Sequence, residues 1–302
     1  MWYNGTVMET MRLFIIALPT QKTTIGLLTE ACQTLNVDYE ILNPDEVAPI
    51  DVMVKPGDMV YRVSDASHYG CLELEYDLIK RGAVSFYKNN DIFYLNSEEI
   101  DVFILDDKNI PLPKTISYIP KDRDALRRCV DYLGGFPICI KALGGSHGVG
   151  VMKVDSYGSL FSVADYIRQQ KGRAVLKEYC NVTSSARLIV LGDKVIDSIE
   201  YSANKDDFRS NEGKVPNVTP KKFDAAIEEA AIKAVDKLGL EFGGVDIMIT
   251  EDGPKIAEVN NPCFFARCQL LTGVNTAKQM VEYLIEKTKN ATYGRLEDNG
   301  EN

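Results

Sequence analysis

The 302-residue chain has no Cys-x-x-Cys pair, only two histidines, and no apolar run long enough to cross a bilayer. Each absence removes a class of protein. Its seven cysteines (Cys32, Cys71, Cys129, Cys139, Cys180, Cys263 and Cys268) are an odd number scattered along the chain. That suits reduced thiols and argues against a disulfide framework or a structural zinc site. The apolar stretch from Leu13 to Leu18 is far shorter than a membrane span and lacks the flanks of a signal peptide, so a cytoplasmic protein with no membrane association is expected. Positive charge is also scarce. Thirty-four Lys and Arg against 44 Asp and Glu leave a net charge of -10, which argues against a nucleic-acid footprint but leaves room for a local basic pocket. His68 and His147 read as surface or loop residues. There is no internal repeat, no Walker A motif and no Gly-x-Gly-x-x-Gly turn.

What is present is an ordinary globular composition, 45% hydrophobic and 26% charged, long enough for two or three small domains. Strand, helix and strand patterns over residues 12 to 42, a third strand at 58–62, a helix at 70–81 and a strand at 83–87 predict the start of a parallel α/β sheet. A helical stretch at 97–107 ends at the turn-forming Ile110-Pro-Leu-Pro113. The expected organisation is α/β (α+β): an N-terminal parallel α/β domain at 1–95, a small central α+β lid at 96–177, a larger C-terminal α+β domain at 178–289 and a frayed polar tail at 290–302.

Three constellations carry chemistry. The first is Gly244-Val-Asp246 through Thr250, a Glu-Asp-Gly turn, then Lys255 through Glu258-Val-Asn260. It reads as a β-hairpin. Glu258 and Asn260, two apart on a strand, share a face, with Ala257 and Val259 on the other. A three-residue loop with Gly253 in a left-handed conformation sets Asp246 opposite Glu258, whereas a two-residue loop turns it away. Two carboxylates and an amide suit magnesium with phosphate ligands; a solvated acidic face is the alternative. The second is Lys141 followed by Gly144-Gly145-Ser146-His147-Gly148-Val149-Gly150. A cation beside flexible backbone amides can cradle phosphates, or be a Gly-rich hairpin with a surface lysine. The third is the strand Val175-Leu-Lys177-Glu178-Tyr179-Cys180, which could offer backbone groups to adenine and Glu178 to a ribose hydroxyl. Arg187 and Phe208-Arg209-Ser210-Asn211 add guanidinium groups suited to phosphate or carboxylate, or are solvated loop residues.

These motifs, in this order, resemble the ATP-grasp superfamily and within it the RimK-type carboxylate-amine ligases, over about residues 12 to 288. The resemblance implies nucleotide bound between the central and C-terminal domains. It implies a substrate carboxylate activated by ATP as an acyl phosphate, which an amine attacks to form an amide. Asp246, Glu258 and Asn260 would then hold one or two magnesium ions, with manganese as a substitute. Lys141 and the loop bearing Gly145, Ser146, Gly148 and Gly150 would hold the phosphates. Lys177, Glu178, Tyr179, Cys180, Ser185 and Arg187 would line the nucleotide. Arg209, Ser210 and Asn211 would act on the transferred phosphoryl group, Arg209 and Asn211 together with Lys141 as catalytic residues. Arg62, Arg209 and Arg267 are candidates for a substrate carboxylate, Arg62 because it ends a first-domain strand.

The sequence departs from the pattern at Glu98, where the family has a phosphate-binding lysine, and at Ser185, where it often has an acid. After Asn211 and after Asn260 the loops also differ, which implies a different substrate from the glutamate-adding members. The expected function is amide formation between a small-molecule or peptide carboxylate and an amine. A nucleotide-binding scaffold and a peptide-crosslinking ligase are the alternatives. Oligomeric state is left open, a homo-oligomer included.

Overall fold

The computed structural model describes residues 11–64, 68–89, 103–143, 149–202 and 217–298, with side chains described to 291. The chain packs as two compact units, residues 1–94 with 239–242 and 261–302, and residues 95–238 with 243–260. The C-terminal segment thus belongs with the N-terminal one, a grouping that strand and helix patterns along the sequence do not reveal.

In the first unit, β1 (Arg12–Ile16) lies between β2 (Asp38–Leu42) and β3 (Met59–Arg62) in a parallel sheet. β1 is buried from Leu13 to Ile16, as expected for a strand covered on both faces. Helices α1 (Lys22–Thr34) and α2 (Tyr69–Lys80) follow β1 and β3. The strand expected at 83–87 is reduced to single bridges, Val84 to Met59 and Tyr87 to Leu240. Tyr61, Phe86, Phe242 and Phe265 form an aromatic cluster with centroids 5.1–6.2 Å apart, edge-to-face except for the tilted Phe86–Phe242 pair.

The second unit holds two sheets. The smaller one orders β4 (Thr115–Ile116), β7 (Ala174–Glu178), β5 (Ile138–Ala142) and β6 (Val151–Val154) side by side. On it pack α3 (Arg123–Leu133) and α4 (Tyr157–Gln169), through Leu126, Val130, Leu160 and Ile167 against Ile138, Ile140, Val154 and Leu176. Asp122 caps α3 by accepting from Ala125 N at 2.7 Å, and Ser156 and Ser159 form a capping box on α4. The larger sheet is antiparallel, in the order β10 (Val218–Pro220), β9 (Lys194–Ser202), β8 (Val182–Leu191), β11 (Phe242–Thr250), β12 (Gly253–Asn260). Helix α5 (Ala225–Lys237) packs on it through Ala230, Ala231, Ala234 and Val235.

A short helix α6 (Ala266–Thr272) leads into α7 (Thr276–Asp298). The expected frayed tail is helical to Asp298, because nothing between 276 and 298 breaks a helix but Gly294. Among the described residues no helix is long and apolar enough to cross a membrane.

Candidate active site

The hairpin of β11 and β12 sets the geometry. Its turn has two residues, Glu251 and Asp252, with Thr250 paired to Gly253 at φ +109°, not the three-residue loop expected from Glu-Asp-Gly. Counting back from that turn puts Asp246 against Ala257. Instead Ala257 is an unpaired bulge between Ile256 and Glu258, and Asp246 comes directly opposite Glu258. The register is the one the sequence predicts, reached by another route. The bulge also moves the inward face, so Ile256 and Val259 are buried where Ala257 and Val259 were expected.

Asn260 follows on the same face and donates from Nδ2 to Asp246 Oδ2 at 3.2 Å. From the neighbouring strand β8, Arg187 donates to both carboxylate oxygens of Asp246, at 2.5 and 2.7 Å. From β5 of the small sheet, Lys141 Nζ reaches Glu258 Oε2 at 3.2 Å. Two carboxylates and an amide on one sheet therefore meet two cations.

Strand alternation places Lys141 on the face of the small sheet away from its helices. Cys139 is paired with both Lys153 and Lys177, so Lys153 and Lys177 share that face. Lys153, which sequence motifs did not single out, also lies 4.0 Å above the Tyr179 ring. Its position could have been found by pairing β5 with β6 across the glycine loop. Gly150 closes that loop at φ +90°; its carbonyl accepts from Ala142 N at 2.9 Å, and a Cβ there would stand 3.3 Å from Ala142 Cβ.

Glu178 is more occupied than a residue waiting for a ribose. Its Oε1 accepts from Lys255 Nζ at 2.6 Å and from Lys114 N at 2.8 Å, tying β7 to β12 and to the start of β4. Lys255 was not anticipated by sequence. Burial is the largest single influence and works to lower its pKa, but the bond to Glu178 and the nearby Cys180, Glu178 and Asp252 together outweigh it, and the net shift is upward. Cys180 is half-buried, and that burial pushes its thiol pKa up. Ser185, two residues from Arg187 on β8, is 6% exposed, and its hydroxyl makes no hydrogen bond among the described residues.

Arg62 is placed differently from the expectation of a cleft-facing group. It is 1% exposed in the first unit, and its Nε donates to Glu75 Oε2 at 2.7 Å. Tyr87 donates to the same oxygen at 3.2 Å, and Asn261 to Tyr87 Oη at 3.0 Å. Burial is the main reason the Tyr87 phenol is held well above its ordinary pKa, so it stays a donor. The arginine is committed to a buried network. Arg267 is exposed in the first turn of α6, in the same unit. Gly145, Ser146, Gly148, Arg209, Ser210, Asn211 and Glu98 lie outside the described residues.

No group of three or more His, Cys, Asp or Glu is placed to hold a metal among the described residues. The set at the hairpin is smaller, two carboxylates and an amide. It fits a hard cation that takes its remaining ligands from water and phosphate. Two local facts agree: cations already sit on both carboxylates, and the buried Ser185 hydroxyl, on the strand that carries Arg187, has no hydrogen-bond partner among the described residues.

An acidic hairpin in a large antiparallel sheet, faced by a lysine from a small α+β sheet, is the architecture of the ATP-grasp fold. The chain belongs to the RimK-like ATP-grasp domain family, which matches residues 100–284. It is 32% identical over 185 residues to a probable alpha-L-glutamate ligase of Citrobacter koseri, covering 59% of this chain and 59% of that protein. The aligned part thus spans under two thirds of that relative. Two solved structures share the fold. The ATP-grasp ligase PsnB, complexed with a phosphomimetic variant of its minimal precursor, Mg and ADP, has a TM-score of 0.68 at 16% identity, over 91% of this chain and 98% of that one. The D-cycloserine synthetase DcsG has a TM-score of 0.70 at 14% identity, over 92% and 99%.

Proposed function

We propose that this protein is an ATP- and magnesium-dependent ligase that joins a carboxylate, on an amino acid, a peptide or a small metabolite, to an amine. The observation that carries the reading is Asp246 lying opposite Glu258, with Asn260 beside them and Lys141 reaching across from the lid. In this reading Asp246, Glu258 and Asn260 hold the magnesium, which supplies charge neutralisation and a template for phosphate oxygens. Lys141 exchanges Glu258 for a phosphate when nucleotide enters. Lys153 and Lys177 extend positive charge over the same face of the lid.

The chemistry needs no enzyme nucleophile. An oxygen of the substrate carboxylate attacks the γ-phosphorus, the bond to ADP breaks, and an acyl phosphate forms. The amine nitrogen then attacks the acyl carbon, phosphate leaves with its bonding pair, and the nitrogen loses a proton. Positioning and charge neutralisation supply the rate, as in phosphoryl transfer generally. The glutamate ligase relative favours an amino acid as the amine.

The test is release of ADP and phosphate from ATP and magnesium in the presence of a panel of amino acids and peptides, with mass spectrometry of the products. Asp246→Asn and Glu258→Gln should each lower turnover by about 10²-fold or more. ATP binding without product from any acid and amine would defeat the ligase reading and leave a nucleotide-binding scaffold. Loss of one water within a single peptide would assign the crosslinking variant of the chemistry.

A further inference from the structure

The strand that carries Glu258 ends at Asn260, and the next three residues are held by side chains of the first unit. Asn261 and Cys263 are 7% and 2% exposed. Tyr61 Oη donates to the Cys263 carbonyl at 3.0 Å, and Asn261 Nδ2 donates to Tyr87 Oη at 3.0 Å. The second bond ends a directional relay. Glu75 Oε2 accepts from Arg62 Nε at 2.7 Å and from the Tyr87 hydroxyl at 3.2 Å. With its one proton committed to Glu75, Tyr87 faces Asn261 only as an acceptor, and that fixes which end of the Asn261 amide turns toward it. Replacing a buried ion pair by apolar side chains commonly leaves stability unchanged or higher, so stability alone does not account for the relay.

We infer that Tyr87 and Asn261 are positioning residues for Asn260, the last residue of β12. This role rests on the reading of Asp246, Glu258 and Asn260 as magnesium ligands. Asn260 Nδ2 donates to Asp246 Oδ2 at 3.2 Å and to the Gly244 carbonyl at 3.3 Å, which leaves the amide oxygen as the end for a cation. Magnesium demands near-ideal octahedral geometry, so that oxygen has to be placed closely. Up to Asn260 the backbone is held by its ladder with β11, whose last pair is Gly244 with Asn260. Beyond it the ladder stops, and strand ends fray unless something else ties them down. The tie here is the side chain of the very next residue, Asn261, at the end of a relay that admits one orientation.

The test uses the full chain and ADP, with binding followed by calorimetry as magnesium or calcium is titrated. In Tyr87→Phe, which keeps the ring and removes the hydroxyl, the magnesium concentration for half-maximal ADP binding should rise about tenfold. Calcium accepts looser geometry, so the rise with calcium should be smaller. Asn261→Ala cuts the same relay from its other side and should reproduce both effects, so the test stands if Tyr87→Phe fails to fold. Ile15→Val in β1 trims the buried core of the same unit without touching the relay, and its magnesium dependence should be that of wild type. Wild-type magnesium dependence in Tyr87→Phe and Asn261→Ala, an equal loss with both cations, or a matching loss in Ile15→Val would each overturn the positioning role and leave the ligase reading intact. Wild-type protein that shows no magnesium-dependent ADP binding would overturn the ligase reading, and the positioning role with it.

Discussion

Arg187 grips Asp246 with two nearly parallel hydrogen bonds, Nε to Oδ1 at 2.5 Å and a second guanidinium nitrogen to Oδ2 at 2.7 Å. The pair bridges β8 and β11, and both side chains are mostly out of water. The arginine expected at the nucleotide is therefore also the counter-ion of a proposed metal ligand.

Removing one side of such a pair leaves the other charge buried. Arg187→Gln should destabilise the protein by about 3 kcal/mol, measured as a lower urea midpoint at unchanged slope. Asp246→Asn in the Arg187→Gln background should recover part of the loss, since the uncompensated charge is then gone. A fully additive double mutant would mean that the two residues do not stabilise each other.

The bulge at Ala257 makes a second expectation. Deleting Ala257 removes the extra residue and leaves Asp246 opposite Glu258 in a regular ladder. Nucleotide affinity should stay within about tenfold of wild type. Deleting Val259 instead turns Asn260 to the other face, and binding should fall much further. Equilibrium binding of ADP with magnesium distinguishes the two.

Arg62 should behave as a structural residue. Arg62→Met strands the buried Glu75 carboxylate and should cost about 3–5 kcal/mol in chemical denaturation. Where the variant remains folded, the KM for the acid substrate should be unchanged. A large KM increase in a stable variant would return Arg62 to the substrate.

The Lys255–Glu178 pair predicts a pH dependence. The pKa of Lys255 is raised in the folded state above its ordinary 10.5, so its stabilisation is fully present below that pH and is lost as pH rises through the folded value. Lys255→Met should be less stable than wild type by about 1–2 kcal/mol at neutral pH. That gap should shrink in alkaline solution above pH 10.5, as measured by denaturation at a series of pH values. A gap that is constant with pH would assign the lysine a packing role only.

Strand alternation and hairpin pairing were enough to bring a carboxylate pair and an amide onto one face, because both are local rules, whereas the place of Lys141, 117 positions from Glu258, was only what the family resemblance implied. Asp246, Glu258 and Asn260 share a face for that reason, and Val151–Val154 follows the glycine loop as a strand for the same one. What the sequence did not disclose depends on residues far apart in it. Glu75 lies 13 positions from Arg62, and Lys255 lies 77 from Glu178. No short-range pattern marks either partner, so Arg62 read as a cleft residue and Glu178 as an open ribose acceptor.

The sequence by itself determined the fold and the family, since these rest on residue types in order. Only the tertiary structure decided that a bulge at Ala257, and not a longer turn, sets the hairpin register. It alone grouped residues 261–302 with the N-terminal sheet, and it alone gave Arg62 and Glu178 their counter-ions. Register and ion pairing are settled by packing between distant segments, where burying an unpaired charge costs several kcal/mol and so selects one arrangement among many.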